Sequence, residues 1–249
     1  MTGQMTEHSH EIDGAARQGR WVVTCDHATN RVPDWVGGGD LGLPARDMAR
    51  HIAYDVGAAG VTRKLAELLD SPAILSDFSR LVIDPNRGED DPTLLMKLYD
   101  GTIIPANRHA GDAERERRLD ALHRPYHAAY AELVLRQHDT VVCAVHSFTP
   151  QLRGRPPRPW EIGVLYASDD RLAQPFMAAC RAQGWCVGDN EPYTGHLPGD
   201  SVDQHALRDG RPNVLIELRN DLIEDDAGQT LWAGRLAPIL QKVLAESGL

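Results

Sequence analysis

Short, nearly unbroken apolar runs at residues 21–25, 73–75, 140–146, 161–166 and 213–218 constrain this chain more than anything else in it. Each is too short for a helix of ordinary length and reads as a buried strand, and residues 80–83 form a sixth candidate. Between them lie stretches with apolar residues at helical period. Residues 46–69 place Met48, Ile52, Val56, Val61, Leu65 and Leu68 on one face, with a weak middle at Gly57 and Gly60. Residues 112–137 place Leu119, Leu122, Tyr126, Tyr130 and Leu133 likewise, with Pro125 expected to kink or divide the helix. Residues 170–183 and 230–245 are further helices. Strands alternating with helices predict an α/β fold, with a mixed, mainly parallel sheet covered on both faces. No repeat or linker interrupts the pattern, so the expected organisation is one domain over residues 20–249 behind a flexible tail over residues 1–19.

A chain of 249 residues, 42% of them hydrophobic, can bury the core such a domain needs. Its 36 acidic residues against 26 Lys and Arg give a formal charge of −10, which argues against nucleic acid or an anionic membrane surface as partner. No stretch approaches the length of a membrane helix and the first residues carry no apolar signal core, so a cytoplasmic protein is expected. Four cysteines lack CxxC spacing, and Cys25 and Cys143 sit within apolar runs, as buried free thiols would.

Chemistry concentrates where the runs end. Cys25-Asp26-His27-Ala28-Thr29-Asn30 follows the first run, His146-Ser147-Phe148 closes another, and Glu217-Leu218-Arg219 closes a third. Residues just past strand ends project into the crevice where open α/β sheets bind ligands. Two imidazoles, a carboxamide and a carboxylate gathered there can hold a divalent metal with a general base beside it, the equipment for hydrolysing an amide. Glu217 is the candidate base, and the plain alternative is a buried Glu paired with Arg219. Arg80 and the Asn86-Arg87 pair at the ends of the 80–83 segment suit an anionic substrate, because a guanidinium grips a carboxylate through two parallel hydrogen bonds. Asn107 and Arg108 in one long loop, and Tyr193 and His196 in another, are candidate substrate contacts.

Asp84-x-Asn86-Arg87, Val145-His146-Ser147-Phe148 and Glu217-Leu218-Arg219 occur in the order of corresponding signatures in zinc carboxypeptidases. More closely, residues 25–33, 79–87, 146–150 and 216–222 resemble the N-formylglutamate amidohydrolase family, and the resemblance runs over most of residues 20–245. It implies a zinc-carboxypeptidase-like fold holding one Zn2+ ion, with His27 and His146 as ligands. At the third ligand position the chain carries Asn30, with Asp26 and Asp55 as alternative sources of an oxygen. The resemblance gives Arg80 the developing oxyanion, and gives Asn86 and Arg87 the α-carboxylate. The substrate it implies is a small N-acyl amino acid, N-formyl and acidic, such as N-formyl-L-glutamate.

Three other readings stay open at this level. One is a carboxypeptidase or amidase acting on another N-acylated acid or a short peptide. A second is a non-catalytic binding protein on a hydrolase scaffold, which Asn30 in place of a carboxylate would allow. The third is a Cys–His hydrolase built on Cys25 and His27, which leaves Asn86, Arg87 and Glu217 unexplained. Ser147 and His146 are strand neighbours on opposite faces and make no dyad. His123 and His127 are spaced i, i+4, yet they lack the HExxH glutamate and flank Pro125, so packing or hydrogen bonding is expected of them.

Overall fold

A computed structural model of the chain describes residues 8–195 and 197–249. In chain order its strands are β1 (His10–Asp13), β2 (Trp21–Cys25), β3 (Ala73–Ser76), β4 (Leu98–Tyr99), β5 (Thr102–Ile103), β6 (Val141–Phe148), β7 (Ile162–Leu165), β8 (Val187–Asp189) and β9 (Asn213–Arg219). Its helices are α1 (Ala45–Met48), α2 (Ala58–Leu68), α3 (Asp112–Arg118), α4 (Arg124–Leu135), α5 (Ala173–Ala182), α6 (Ser201–His205) and α7 (Asp226–Ser247). Seven strands form one sheet in the order β1-β3-β2-β6-β9-β7-β8, while β4 and β5 make a separate hairpin. The pairs β3–β2, β2–β6, β6–β9 and β7–β8 are parallel; β1–β3 and β7–β9 are antiparallel. The expected single-domain α/β fold with a mixed, mainly parallel sheet is the one observed.

Every residue of β2, β3, β6 and β7 is buried, because helices cover both faces. Side chains alternate between two cores. Val23, Cys25, Cys143, Val145, Val214 and Ile216 pack with α2, α5 and α7, whereas Val22, Ala144, Leu165 and Leu215 pack with α4 and the loops before it. His146 and Glu217 continue the second series, so both project from that face at the C-terminal edge of the sheet.

Four departures from the sequence reading have physical causes. Residues 1–7 lie outside the described residues, but the rest of the expected tail contains β1, a polar edge strand with the sequence HEID that pairs antiparallel to β3. Residues 80–83 are a buried turn rather than a strand. Val82 N–H donates to the Ser79 carbonyl, Leu81 N–H to Ser79 Oγ, and Ser79 Oγ to the Ala53 carbonyl, so this backbone has no free edge to offer the sheet. The 46–69 helix is two helices. Gly57 between them has φ of +80°, and a Cβ there would lie 2.0 Å from the Ile223 carbonyl oxygen, so only glycine fits that turn. The 112–137 segment runs on through Pro125, because a π-helical turn at Leu119–His123 widens the ladder just where proline offers no N–H.

Candidate active site

His27 lies two residues past the end of β2, and β6 places His146 beside it, the two ring centroids 5.1 Å apart. The carboxylate between them comes from Asp55, in the turn before α2. Backbone hydrogen bonds explain its arrival: Asp55 N–H donates to the His27 carbonyl and Ala58 N–H to the Asp55 carbonyl. Asp55 Oδ2 then lies 3.3 Å from His27 Nδ1, 2.9 Å from His146 Nδ1 and 3.3 Å from the Ser147 amide. The far nitrogen of each ring faces another buried carboxylate. His27 Nε2 bonds Asp84 Oδ1 at 2.7 Å, and His146 Nε2 stands 3.4 Å from Asp26 Oδ2, an ion-pair contact rather than a well-aligned hydrogen bond.

Arg80 stands over these groups. Its Nε and Nη2 donate to Asp84 Oδ2 at 3.2 and 2.9 Å, and its Nη1 lies 3.5 Å from Asp55 Oδ1. The ring of Tyr99, from the β4–β5 hairpin, lies beneath the guanidinium. Asp84 also accepts the Asn86 amide, which fixes the start of the Pro85–Arg87 loop.

These groups titrate as a unit. Burial alone would raise Asp26, but the close His146 imidazole, then His27 and the Tyr126 hydroxyl, bring it down to about 2. Burial likewise opposes ionisation of Asp55 and Asp84; the histidines hold the first well below its ordinary value, and Arg80 with His27 the second. His146 is raised well above its ordinary value, because Asp26 and Asp55 outweigh its burial. Glu217 behaves oppositely: burial lifts it to about 7, with His146, His27 and Arg80 only partly offsetting burial and Asp55. Its Oε2 is buried with no hydrogen-bond partner. It does not pair with Arg219, which points away to Asp221.

This donor set fits a divalent cation. Ligand atoms of His27, Asp55 and His146 lie within 4.8 Å of one another. The outer nitrogens of both imidazoles face carboxylates, which orients the rings. Three buried carboxylates, Asp26, Asp55 and Asp84, outnumber the one buried guanidinium, Arg80, among them, so the cluster offers the negative charge that a cation can meet.

A pocket of about 270 Å³ opens over the cluster, and His27, Asp55, Arg80, Asn86, Arg87, His146 and Glu217 all line it. Asn86 Oδ1 accepts the Ser201 amide, leaving the carboxamide nitrogen to donate elsewhere. Arg87 bonds Thr93 Oγ1 and the Asn86 carbonyl. Leu165, Leu197, Leu215, Phe148 and Asp200 also form part of the walls. Tyr193 lines the pocket too, its hydroxyl accepting from Arg158; His196 lies outside the described residues.

Three expected residues are placed elsewhere. Asn30 is exposed and donates to the Met48 carbonyl 2.8 Å away, because the chain turns outward after His27; Asp55 occupies the place expected for it. Asn107 is fully buried behind the pocket, donating to the Leu81 and Met96 carbonyls and accepting from Arg118. It holds the turn that carries Arg80. Arg108 is exposed and does not line the pocket. Asp55, His51, Tyr99 and Asp200 enter the site without any local motif, from segments distant in sequence, and Arg158 stacks behind Tyr193. The nucleophile alternatives also lose their footing. Ser147 Oγ donates to the Val56 carbonyl, and burial pushes the Cys25 thiol well above its ordinary range.

A buried carboxylate with one unpartnered oxygen, beside paired imidazoles at the edge of an α/β sheet, is the equipment of a hydrolase. Comparison with known proteins narrows this: the chain belongs to the N-formylglutamate amidohydrolase family, which it matches over residues 19–224. Among solved structures it is similar to the gene product Atu2144 from Agrobacterium tumefaciens, at 34% identity and a TM-score of 0.92 over 98% of each chain. It is also similar to an N-formylglutamate amidohydrolase from Ralstonia eutropha JMP134, at 20% identity and a TM-score of 0.63, over 95% of this chain and 97% of that one. A metallo-carboxypeptidase from Burkholderia cenocepacia matches at 14% identity and a TM-score of 0.36, over 90% of this chain and 57% of that one, too distantly to carry an argument. Among curated proteins, none matches the sequence.

Proposed function

We propose that this protein hydrolyses the amide bond of an N-acyl α-amino acid, N-formyl before other acyl groups, at a zinc ion held by His27, Asp55 and His146. The observation that carries the proposal is Glu217: a buried carboxylate with an unpartnered oxygen and a pKa near 7, on the strand beside His146. A general base works best with a pKa near the operating pH. A zinc ion there would polarise the acyl carbonyl and acidify water.

Glu217 takes a proton from the attacking water as the new C–O bond forms, and delivers it to the amine nitrogen as the C–N bond breaks. Arg80, locked by Asp84, presents its remaining guanidinium edge to the oxyanion. Asn86 and Arg87 hold the α-carboxylate. The products are a carboxylate, formate in the leading case, and a free amino acid. The family supports N-formyl-L-glutamate as the reference substrate. Asp200 favours a second reading of the side chain, because a carboxylate in the pocket wall would repel an acidic group and accept from a donor such as glutamine. Four free cysteines, three of them buried, support a cytoplasmic setting for the enzyme.

The test is zinc content of the purified protein together with formate release from N-formyl-L-glutamate and N-formyl-L-glutamine. Activity lost on chelation and restored by zinc is the expected result. Stoichiometric zinc without release from any N-formyl amino acid would overturn the substrate assignment.

A further inference from the structure

The run His123-Arg124-Pro125-Tyr126-His127 serves none of the roles above, yet its side chains reach the site from behind at two places. His123 Nε2 lies 2.9 Å from the Arg87 carbonyl and His127 Nε2 2.9 Å from the Pro85 carbonyl, so two rings support the loop that carries Asn86 and Arg87. Between them in sequence, the Tyr126 hydroxyl donates to Asp26 Oδ1 at 2.5 Å, and the other oxygen of Asp26 faces His146 Nε2. Tyr126 and Asp26 are fully buried, and neither facing atom of the Asp26–His146 contact has a hydrogen-bond partner of its own.

The protons on these rings are determined. A carbonyl only accepts, so His127 carries its hydrogen on Nε2. Burial, reinforced by His123 and His205, lowers His127 to about 3, so the ring is neutral and its Nδ1 must accept. His205 Nε2, 2.8 Å away, is therefore the donor. The His205 ring stacks on Tyr130 at 4.1 Å and lies nearly coplanar with His127, edge to edge, which leaves it little freedom to turn.

We infer that the first turn of α4 is a two-ended brace: His127, backed by His205, sets the Pro85–Arg87 loop, and Tyr126, acting through Asp26, sets the ring of His146. None of these groups lines the pocket, so all are positioning residues. The inference rests on the proposed roles of Asn86, Arg87 and His146. It predicts that the two ends fail separately, which a generally destabilised helix would not do.

Tyr126→Phe and Asp26→Asn should each weaken zinc binding about tenfold or more, measured by competition with a chromophoric chelator, with KM for N-formyl-L-glutamate little changed once zinc saturates. His127→Phe should raise KM about tenfold with zinc affinity unchanged, and His127→Gln, which keeps a donor for the Pro85 carbonyl, should recover part of that loss. If Tyr126→Phe and His127→Phe move zinc affinity and KM together, or leave both untouched, the brace is wrong. A wild type without zinc affinity overturns it as well. A wild type that binds zinc but releases no formate refutes the substrate assignment alone. The zinc affinities then decide: a loss in Tyr126→Phe but not in His127→Phe supports the brace, and equal effects refute it.

Discussion

Two pairs of buried histidines in this molecule have the same spacing and opposite surroundings. His27 and His146 have ring centroids 5.1 Å apart, and so do His127 and His205. The first pair is surrounded by Asp26, Asp55 and Asp84; the second meets a carbonyl oxygen, a tyrosine ring and each other. Burial lowers His127 to about 3 and His205 to about 4, whereas carboxylates reverse the effect of burial for His146. Ring spacing therefore does not make a metal site. Anionic partners do, by supplying the charge a cation must meet, while the same rings without them become neutral hydrogen-bonding struts.

That contrast can be broken by experiment. The largest effect belongs to Asp55→Asn, which should lower zinc affinity at least about a hundredfold and abolish turnover; retained stoichiometric zinc by elemental analysis would remove the distinction between the pairs. Glu217→Gln should lower kcat by about 10²–10⁴ with zinc content unchanged, and near-normal formate release would dismiss Glu217 as the base. The same variant has a stability signature in metal-free protein. Because burial raises Glu217 from 4.5 to about 7, its penalty on folding is absent below pH 4.5 and complete above pH 7. Glu217→Gln should therefore unfold later than wild type at pH 8, by a margin on the order of 3 kcal/mol, and no later at pH 4.

Arg87→Met should raise KM about 10–100-fold with a smaller effect on kcat, as loss of a charged hydrogen-bonding partner implies. The smallest effect sharpens the contrast most. His127 and His205 have lowered pKa values, so the unfolded chain binds their protons more tightly and stability falls as pH drops from 6.5 towards 4. His146, with its raised value, contributes stability that is complete below pH 6.5 and is lost at higher pH. Replacing His205 with Phe should cost about 1–3 kcal/mol at neutral pH and flatten the acid limb of a urea-denaturation series in metal-free protein. An unchanged acid limb would show that this pair does not titrate as a buried neutral group.

The apolar runs were legible as β2, β3, β6, β7 and β9 because strands buried on both faces carry apolar side chains in both directions. β1 was not, since an edge strand reading HEID has no such signature, and β8 is only three residues long. The 80–83 segment is as apolar as a strand, but Ser79 claims its local amides, a competition that hydrophobicity does not encode. In the site, His27, His146, Glu217, Arg80, Asn86 and Arg87 converge as expected, because strand ends and the loop after Asp84 place them. Asn30 was expected from its spacing after His27. The carboxylate comes instead from Asp55, one of the two alternatives named for it, 28 residues after His27 and held there by a backbone hydrogen bond that no local pattern records. Asn107 shows the complementary error: a polar residue in a Gly/Pro-rich loop turned inward to satisfy carbonyls rather than a ligand.

His146 and Glu217 are Cα partners in the β6–β9 ladder. Adjacent strands shift only in whole-residue steps, and a single step would turn one of the two side chains to the opposite face. The register that sets the His146 imidazole beside the Glu217 carboxylate therefore has no intermediate settings. Rim residues such as Tyr99, Tyr193 and Leu197 come from outside that ladder and carry no such constraint. A one-residue register shift would therefore abolish this pairing outright, whereas replacements at the rim leave it in place.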